Sequence, residues 1–385
     1  MKILKRLEKA NKALFSLILS LSLRPRGEKE IPGRDEIRRI LLVRHDDRLG
    51  NLVMLTPLLS ALRSHLPHAR VTMLVGKRYS DLFKHDRRID ELLIFTRGLG
   101  PRNLLGILRL AIRLRKEEFD IALDLSHGHS FSLTNALLIR FSKSMVRIGY
   151  KRGLSNRFID NELRMSVHVT HEINIFLGLL RTVIEVPVDL EPKIALRDED
   201  LRGGRELLRR IGFRGREAVV GIHPGGRGDK LWPIQNFLRV AELLKESGAE
   251  VVFFLGNPER RLISMAHAEG RFKILKGSST SAEAESQSGS PDSSSFGAFQ
   301  PSGVIELAAL IKNCSVFLSG DCGPMHLAAG LKVPTVTIFL VENYGRYGYA
   351  GEMNRILHGP GAVNPETAAD CVEELLKLSE EKRSS

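Results

Sequence analysis

The chain has 385 residues, 43% of them hydrophobic, which is too long for one ordinary core and suits two domains. Its net charge of +13 is lopsided: residues 1–190 hold 34 Lys and Arg against 20 Asp and Glu, and the remainder holds 24 against 25. A basic half admits nucleic acid or an acidic substrate at a membrane, and 6% aromatics with no nucleic-acid motif argue against nucleic acid.

Residues 1–35 read as a basic amphipathic extension. Lys2, Lys5, Arg6, Lys9 and Lys12 precede an apolar run from Ala13 to Leu23, and Arg24 and Arg26 follow it. The run is too short to span a bilayer and no small-residue cleavage site follows. The expectation is a helix lying on the cytoplasmic face of the plasma membrane.

From residue 36 strands and helices alternate. Ile40–Arg44, Val71–Val75, Leu92–Phe95, Ile121–Leu125 and Val146–Tyr150 read as strands. Leu52, Leu55, Leu59, Leu62 and Leu66 recur at spacings of three and four, which predicts a helix with one buried face, bent at Pro57. Arg102–Lys116 and Phe131–Phe141 are further predicted helices. Short apolar strands separated by helices call for a parallel sheet covered on both faces, giving one Rossmann-like domain over 36–190.

Glu185–Lys193, with two prolines and no helical period, is the expected linker. A second α/β domain is expected over 191–375, with residues 376–385 as a tail. Its alternation runs from Ala218 to about Leu340, and Pro365–Ser379 reads as a closing helix. Within it, residues 278–302 form a Ser-rich tract with only Phe296 and Phe299 to bury, and this composition predicts a disordered insertion before a helix over Val304–Lys312.

Two loops of the second domain look built to hold an anion. In residues 319–330 a strand runs into Asp321-Cys322-Gly323, Pro324 opens a helix, and His326 falls in its first turn. Such a helix start offers free N–H groups and the positive end of a dipole. In residues 218–233 a strand ends at His223, and Gly225, Gly226 and Gly228 let the backbone approach a ligand. Arg227 and Lys230 add cations, and Pro233 starts another helix. Taken blandly, Asp321 caps a helix, His326 is a core histidine, and Trp232 only packs. Two such loops at strand C-termini instead favour a nucleotide-diphosphate site. Cys314, Cys322 and Cys371 are odd in number and lack metal-ligand spacing, so no disulfide framework and no metal site are expected.

Three stretches resemble glycosyltransferase family 9, the heptosyltransferase group that builds the inner core of bacterial lipopolysaccharide. His223-Pro224-Gly225 through Lys230-Leu231-Trp232-Pro233 matches H-P-G…K-x-W-P. Gly320-Asp321-Cys322-Gly323-Pro324-Met325-His326-Leu327-Ala328-Ala329 matches D-[ST]-G-x-x-H-L-A-A, with Cys322 as a small substitute for Ser or Thr. Arg48-Leu49-Gly50-Asn51-Leu52 through Pro57-Leu58-Leu59 matches R-x-G-D-[VL]…P-x-L.

The resemblance implies a GT-B fold, two Rossmann-like domains with parallel sheets facing across a cleft. It also implies an inverting, metal-independent transfer without a cofactor, from a sugar nucleotide such as ADP-heptose to an acidic glycolipid or oligosaccharide. The donor would be bound by His223, Gly225, Gly226, Arg227, Lys230, Asp321, Gly323, Pro324, Met325 and His326. Arg44, Arg48, Gly50 and Asn51 would stand on the acceptor side. The family's general base is the Asp of Gly-Asp, and here that position is Asn51, which cannot accept a proton at neutral pH. His45, Asp46 and Asp47 lie in the same loop, and Asp47, beside Arg48, is the favoured substitute. A sugar-nucleotide epimerase and a non-catalytic sugar-nucleotide-binding relative are the alternative readings.

Overall fold

The computed structural model describes residues 23–96, 101–165, 171–186, 191–210, 212–213, 218–256, 272–276, 296–359 and 361–384. The predicted helix within residues 1–22, the centre of the linker and the Ser-rich tract as far as residue 295 lie outside them. The chain divides into two compact units. One holds the residues up to Asp47 together with Pro57–Leu190, and the other holds Arg48–Thr56 with Glu191–Ser385. This departs from the expected boundary, because a nine-residue stretch of the predicted first domain joins the second.

The elements that begin the chain are β1 (Arg39–Arg44), α1 (Leu49–Met54), α2 (Thr56–His65), β2 (Arg70–Gly76), β3 (Glu91–Phe95) and α3 (Pro101–Lys116). They continue with β4 (Ile121–Asp124), α4 (Leu133–Phe141), β5 (Val146–Tyr150), β6 (Asn161–Leu163) and α5 (Glu172–Leu180). The six strands form one parallel sheet in the order β3-β2-β1-β4-β5-β6. In register, Leu42 sits between Met73 and Leu123. Strands β1 and β2 are buried almost end to end, as expected of a sheet covered on both faces. Helices α1 and α2 are separated at Leu55, two residues before Pro57, close to where the sequence predicts the bend. The strand order reverses between β1 and β4, and α/β sheets take ligands at such a reversal, outside the strand C-termini.

The second unit contains α6 (Asp198–Arg210), β7 (Val219–His223), α7 (Ile234–Glu246), β8 (Glu250–Phe254), β9 (Phe272–Lys276), β10 (Phe296–Gln300) and α8 (Val304–Lys312). It ends with β11 (Val316–Gly320), α9 (Gly323–Gly330), β12 (Thr335–Phe339), α10 (Tyr344–Tyr347), β13 (Asn354–His358) and α11 (Pro365–Ser384). Its parallel sheet has the order β13-β12-β11-β7-β8-β10-β9, reversing between β7 and β11. Along α7, Ile234, Phe237, Leu238, Ala241 and Leu244 fall on one buried face. Trp232 packs edge-on against Phe237 with ring centroids 4.8 Å apart, pinning the loop that precedes the helix. Helix α1 packs within this unit on α9: a Cβ added to Gly323 would lie 3.0 Å from Leu49, and one added to Gly330 would lie 3.2 Å from Val53.

Two expectations are corrected. Residues 296–300, assigned to the disordered insertion, form β10 between β8 and β9. Phe296 and Ala298 enter the core beneath α7 while Phe299 is fully buried on its own account, so two aromatics at the end of a polar tract suffice for a strand. Residues 376–384, expected as a tail, continue α11, with Leu376 and Leu378 packed against the same core. Phe299→Ala is expected to destabilise the second unit by about 3–5 kcal/mol, measured by denaturant unfolding. An unchanged midpoint would return residues 296–300 to the insertion.

Candidate active site

The strand-order reversal of the second unit brings the two anion-suited loops together. Gly320 ends β11 with the carbonyl of Gly225 pressed against it, since a Cβ there would lie 2.8 Å from that oxygen. Gly226 is equally tight against Lys230 and Leu231, with 2.6 Å to the Lys230 carbonyl. His223 is buried, its Nδ1 2.6 Å from the Phe254 carbonyl, and its ring leaves no room for a side chain at Gly225. Across the two loops the Lys230 ammonium pairs with Asp321, and Asn343 Nδ2 donates to the same Asp321 oxygen at 2.9 Å. Lys230 also stands 5.4 Å from the centroid of Tyr347. Arg227 and the neighbouring Gly228 and Asp229 are exposed.

Asp321 therefore holds a lysine rather than capping a helix. Helix α9 starts with Cys322 in extended conformation at its N-cap, without a side-chain cap, and with Pro324 in its first turn. Its first N–H groups and dipole are oriented for an anion. Met325 and His326 are buried. His326 Nδ1 lies 2.9 Å from the Tyr349 hydroxyl, with the two rings edge to face. Burial pushes the Tyr349 phenol well above its usual range, so it stays protonated and can donate to Nδ1. The other edge of the imidazole lies against Gly50 of α1, where a Cβ would come within 2.4 Å of Cδ2 and 2.7 Å of Nε2. Glycine at position 50 is thus dictated by the histidine.

In the first unit, the loop after β1 rests on a buried polar network that the sequence reading missed. Asp124, at the end of β4, accepts from Ser126 N and Oγ at 3.1 and 2.7 Å, from Asn135 Nδ2 at 2.9 Å and from Arg152 Nη2 at 2.6 Å. Asn135 also donates to the Val43 carbonyl at 3.0 Å and meets His45 Nδ1 through its side-chain oxygen. His127 stands 3.6 Å from Asp46 on one side and 3.6 Å from Glu172 on the other. The available signal was a lone aspartate closing the apolar strand 121–124 and followed by Ser126, His127 and His129.

Arg44, expected on the acceptor side, is corrected: it is completely buried and donates to the Leu125 carbonyl and, at 2.7 Å, to Asp46. Its guanidinium also lies over the Phe176 ring at 5.0 Å, so its charge stiffens the loop instead of reaching a substrate. Asp47 is half-buried in an open cleft with His45, Gly76, Lys77, Arg78 and Phe95. Gly76 makes room for it, since a Cβ there would lie 2.9 Å from Asp47 Oδ1. Asp47 belongs to the first unit, whereas exposed Arg48, Gly50 and buried Asn51 belong to the second. Among the described residues no group of three His, Cys, Asp or Glu side chains is disposed to hold a metal ion.

Comparison with known proteins bears on this arrangement directly. The description "Glycosyltransferase family 9 (heptosyltransferase)" matches residues 107–281 and 301–377. Lipopolysaccharide heptosyltransferase 3 of Escherichia coli (strain K12) is 23% identical over 296 residues, covering 75% of this chain and 79% of the relative. Among solved structures, the glycosyl transferase family 9 protein from Veillonella parvula DSM 2008 superposes with a TM-score of 0.73 at 19% identity, covering 89% of this chain and 97% of that one. The E. coli heptosyltransferase WaaC with ADP-2-deoxy-2-fluoro heptose gives 0.61 at 16% identity, covering 88% and 99%. Two parallel Rossmann-like sheets, the paired loops at the second reversal and the match over most of the chain have one reading: the chain belongs to glycosyltransferase family 9, has the GT-B fold, and is a heptosyltransferase-like glycosyltransferase.

Proposed function

We propose that this enzyme moves a heptose from ADP-heptose to an acidic acceptor of the lipopolysaccharide core, with inversion at the anomeric carbon, at the inner face of the plasma membrane. The observation that carries the reading is Lys230 held by Asp321 between two anion-suited loops, beside the helix start at Gly323. The relatives' names support heptose as the sugar, and the ADP-sugar analogue bound to WaaC supports ADP as its carrier. The sugar nucleotide is a substrate, and no separate cofactor enters the reaction.

As the glycosidic bond breaks, negative charge gathers on the departing diphosphate. Lys230 and the first free N–H groups of α9 meet that charge, and they are held in place before it develops, so they act mainly on the transition state. Arg227 adds a second cation, and Gly225 and Gly226 allow the backbone to lie close to the phosphates. His326, tied to Tyr349 and packed on Gly50, positions the start of α9. On the acceptor side, Asp47 takes the proton that the family's aspartate takes elsewhere, and Asn51 orients a hydroxyl by hydrogen bonding. Membership of a transferase family favours transfer over epimerisation.

Lys230→Ala is expected to weaken nucleotide-diphosphate binding, read by calorimetry with ADP, and to lower turnover, with His326→Ala following more mildly. Wild-type affinity in both variants would remove the donor site from these loops. Asp47→Asn is expected to cut transfer by about two to four orders of magnitude with ADP affinity retained, and Asn51→Asp to be tolerated. A transfer rate indifferent to both substitutions would place the base elsewhere.

A further inference from the structure

The first unit carries a second charged cluster that the proposed reaction does not use. It lies where the strands begin, at the pole of the sheet opposite the strand C-termini. Arg24, Arg26, Lys29, Arg140 and Asp160 line an open pocket there. Asp160 is buried and already engaged: one oxygen takes Arg26 Nε, and the other accepts from the Arg147 amide at 3.0 Å. Arg147 is only 6% exposed, its Nε approaches Asp160 no closer than 3.9 Å, and its Nε and Nη1 find no hydrogen-bond partner. Burial first, and then the charges of Arg26 and Arg140, hold Arg147 below the usual arginine range against the pull of Asp160. Several cations thus share one carboxylate beside a cavity. A phosphate group offsets such a surplus, and guanidinium groups match it in charge and in bidentate geometry.

Apolar side chains are exposed along α3, which runs from the strand C-termini back to this pole and reaches it at Lys116. Helix α3 turns Ile107, Leu110 and Leu114 to the core. On its other side Leu105, Leu108 and Ile112, at spacings of three and four, are 48%, 57% and 47% exposed. Exposed Arg109, Arg115 and Lys116 flank that row by helical spacing. Met145 joins it to the pocket: 57% exposed, it donates from its amide to the Phe119 carbonyl at 2.9 Å, just past α3, and its own carbonyl accepts from Lys29 Nζ at 2.6 Å. An outward apolar row rimmed by cations is the surface of an interfacial helix.

We infer that this pole and the adjoining side of α3 dock on an anionic phospholipid bilayer, with a lipid phosphate seated in the pocket of Arg24, Arg26 and Arg140 while Leu108, Ile112 and Met145 enter the interface. The inference rests on the reading of a membrane-borne acceptor, and none of its residues belongs to the donor or acceptor site.

The test uses the full chain and sedimentation with vesicles of phosphatidylglycerol or of phosphatidylcholine. Wild type is expected to prefer phosphatidylglycerol, and Arg24→Glu to lower that binding about 25-fold, since it changes two charges at roughly five-fold each. Leu108→Glu is expected to lower binding as well, with thermal melts and transfer to a lipid-free acceptor unchanged in both variants. Equal binding to the two lipids, or wild-type binding by both variants, overturns the inference. Calorimetric saturation by inorganic phosphate without vesicle binding makes the pocket a free-phosphate site and also overturns it. Vesicle binding that responds as expected in a protein unable to transfer sugar upholds the docking surface and removes the proposed reaction instead.

Discussion

The ion pair of Lys230 with Asp321 is the interaction on which the second unit's site depends. It joins the loop after β7 to the loop after β11, the two strands that flank the reversal of strand order. For the proposed diphosphate donor, a half-buried lysine has to be kept in one place without being fully neutralised. Tyr347 covers the ammonium and Asn343 donates to the same Asp321 oxygen, so the lysine is fixed by two kinds of contact and its carboxylate partner by a third. The proposed donor diphosphate would bring more charge than one carboxylate, so it could draw on the same ammonium while Asp321 continues to orient it. The helix start completes the arrangement, because its N–H groups are not spent on a side-chain cap.

The first unit solves a different problem with the same means. The loop after β1 carries charged groups next to an apolar sheet, and buried charges are costly unless paired. Arg44 and Arg152 are therefore taken up by Asp46 and Asp124, and Asn135 links Asp124 to His45. The removal of any one of these groups would take a hydrogen bond or an ion pair from another. The network fixes His45 and Asp46, and the chain then delivers the next residue, Asp47, to the open cleft beside Lys77 and Arg78.

Much of this was legible in the sequence because it is written in local chemistry. Glycines that must admit a backbone or a ring, a proline in a helix's first turn, and apolar runs ending in polar loops can be recognised one segment at a time. The placement of Val304–Lys312 and the break near Pro57 follow from such signals. What escaped depends on distant partners. Arg44 reads as a cation at a strand end, facing an acceptor, until Leu125 and Phe176 are seen around it. Asp124, Asn135 and Arg152 are far apart in sequence and acquire meaning only at the shared end of β1 and β4. The strand Phe296–Gln300 was hidden by averaging over a serine-rich tract, whereas sheet pairing needs only five residues and a vacant place between β8 and β9.

The stretch Arg48–Thr56 has a consequence for recombining such enzymes. Leu49 and Val53 fit against Gly323 and Gly330, so a few residues encoded early in the chain are completed by a helix encoded much later. A chimera joined only near residue 190 would pair one parent's α1 with the other parent's α9, and any mismatch in side-chain size would fall on that seam. Modular exchange has to respect three junctions, after Asp47, after Thr56 and after Leu190, because the unit that folds is not the unit that a single splice would transfer.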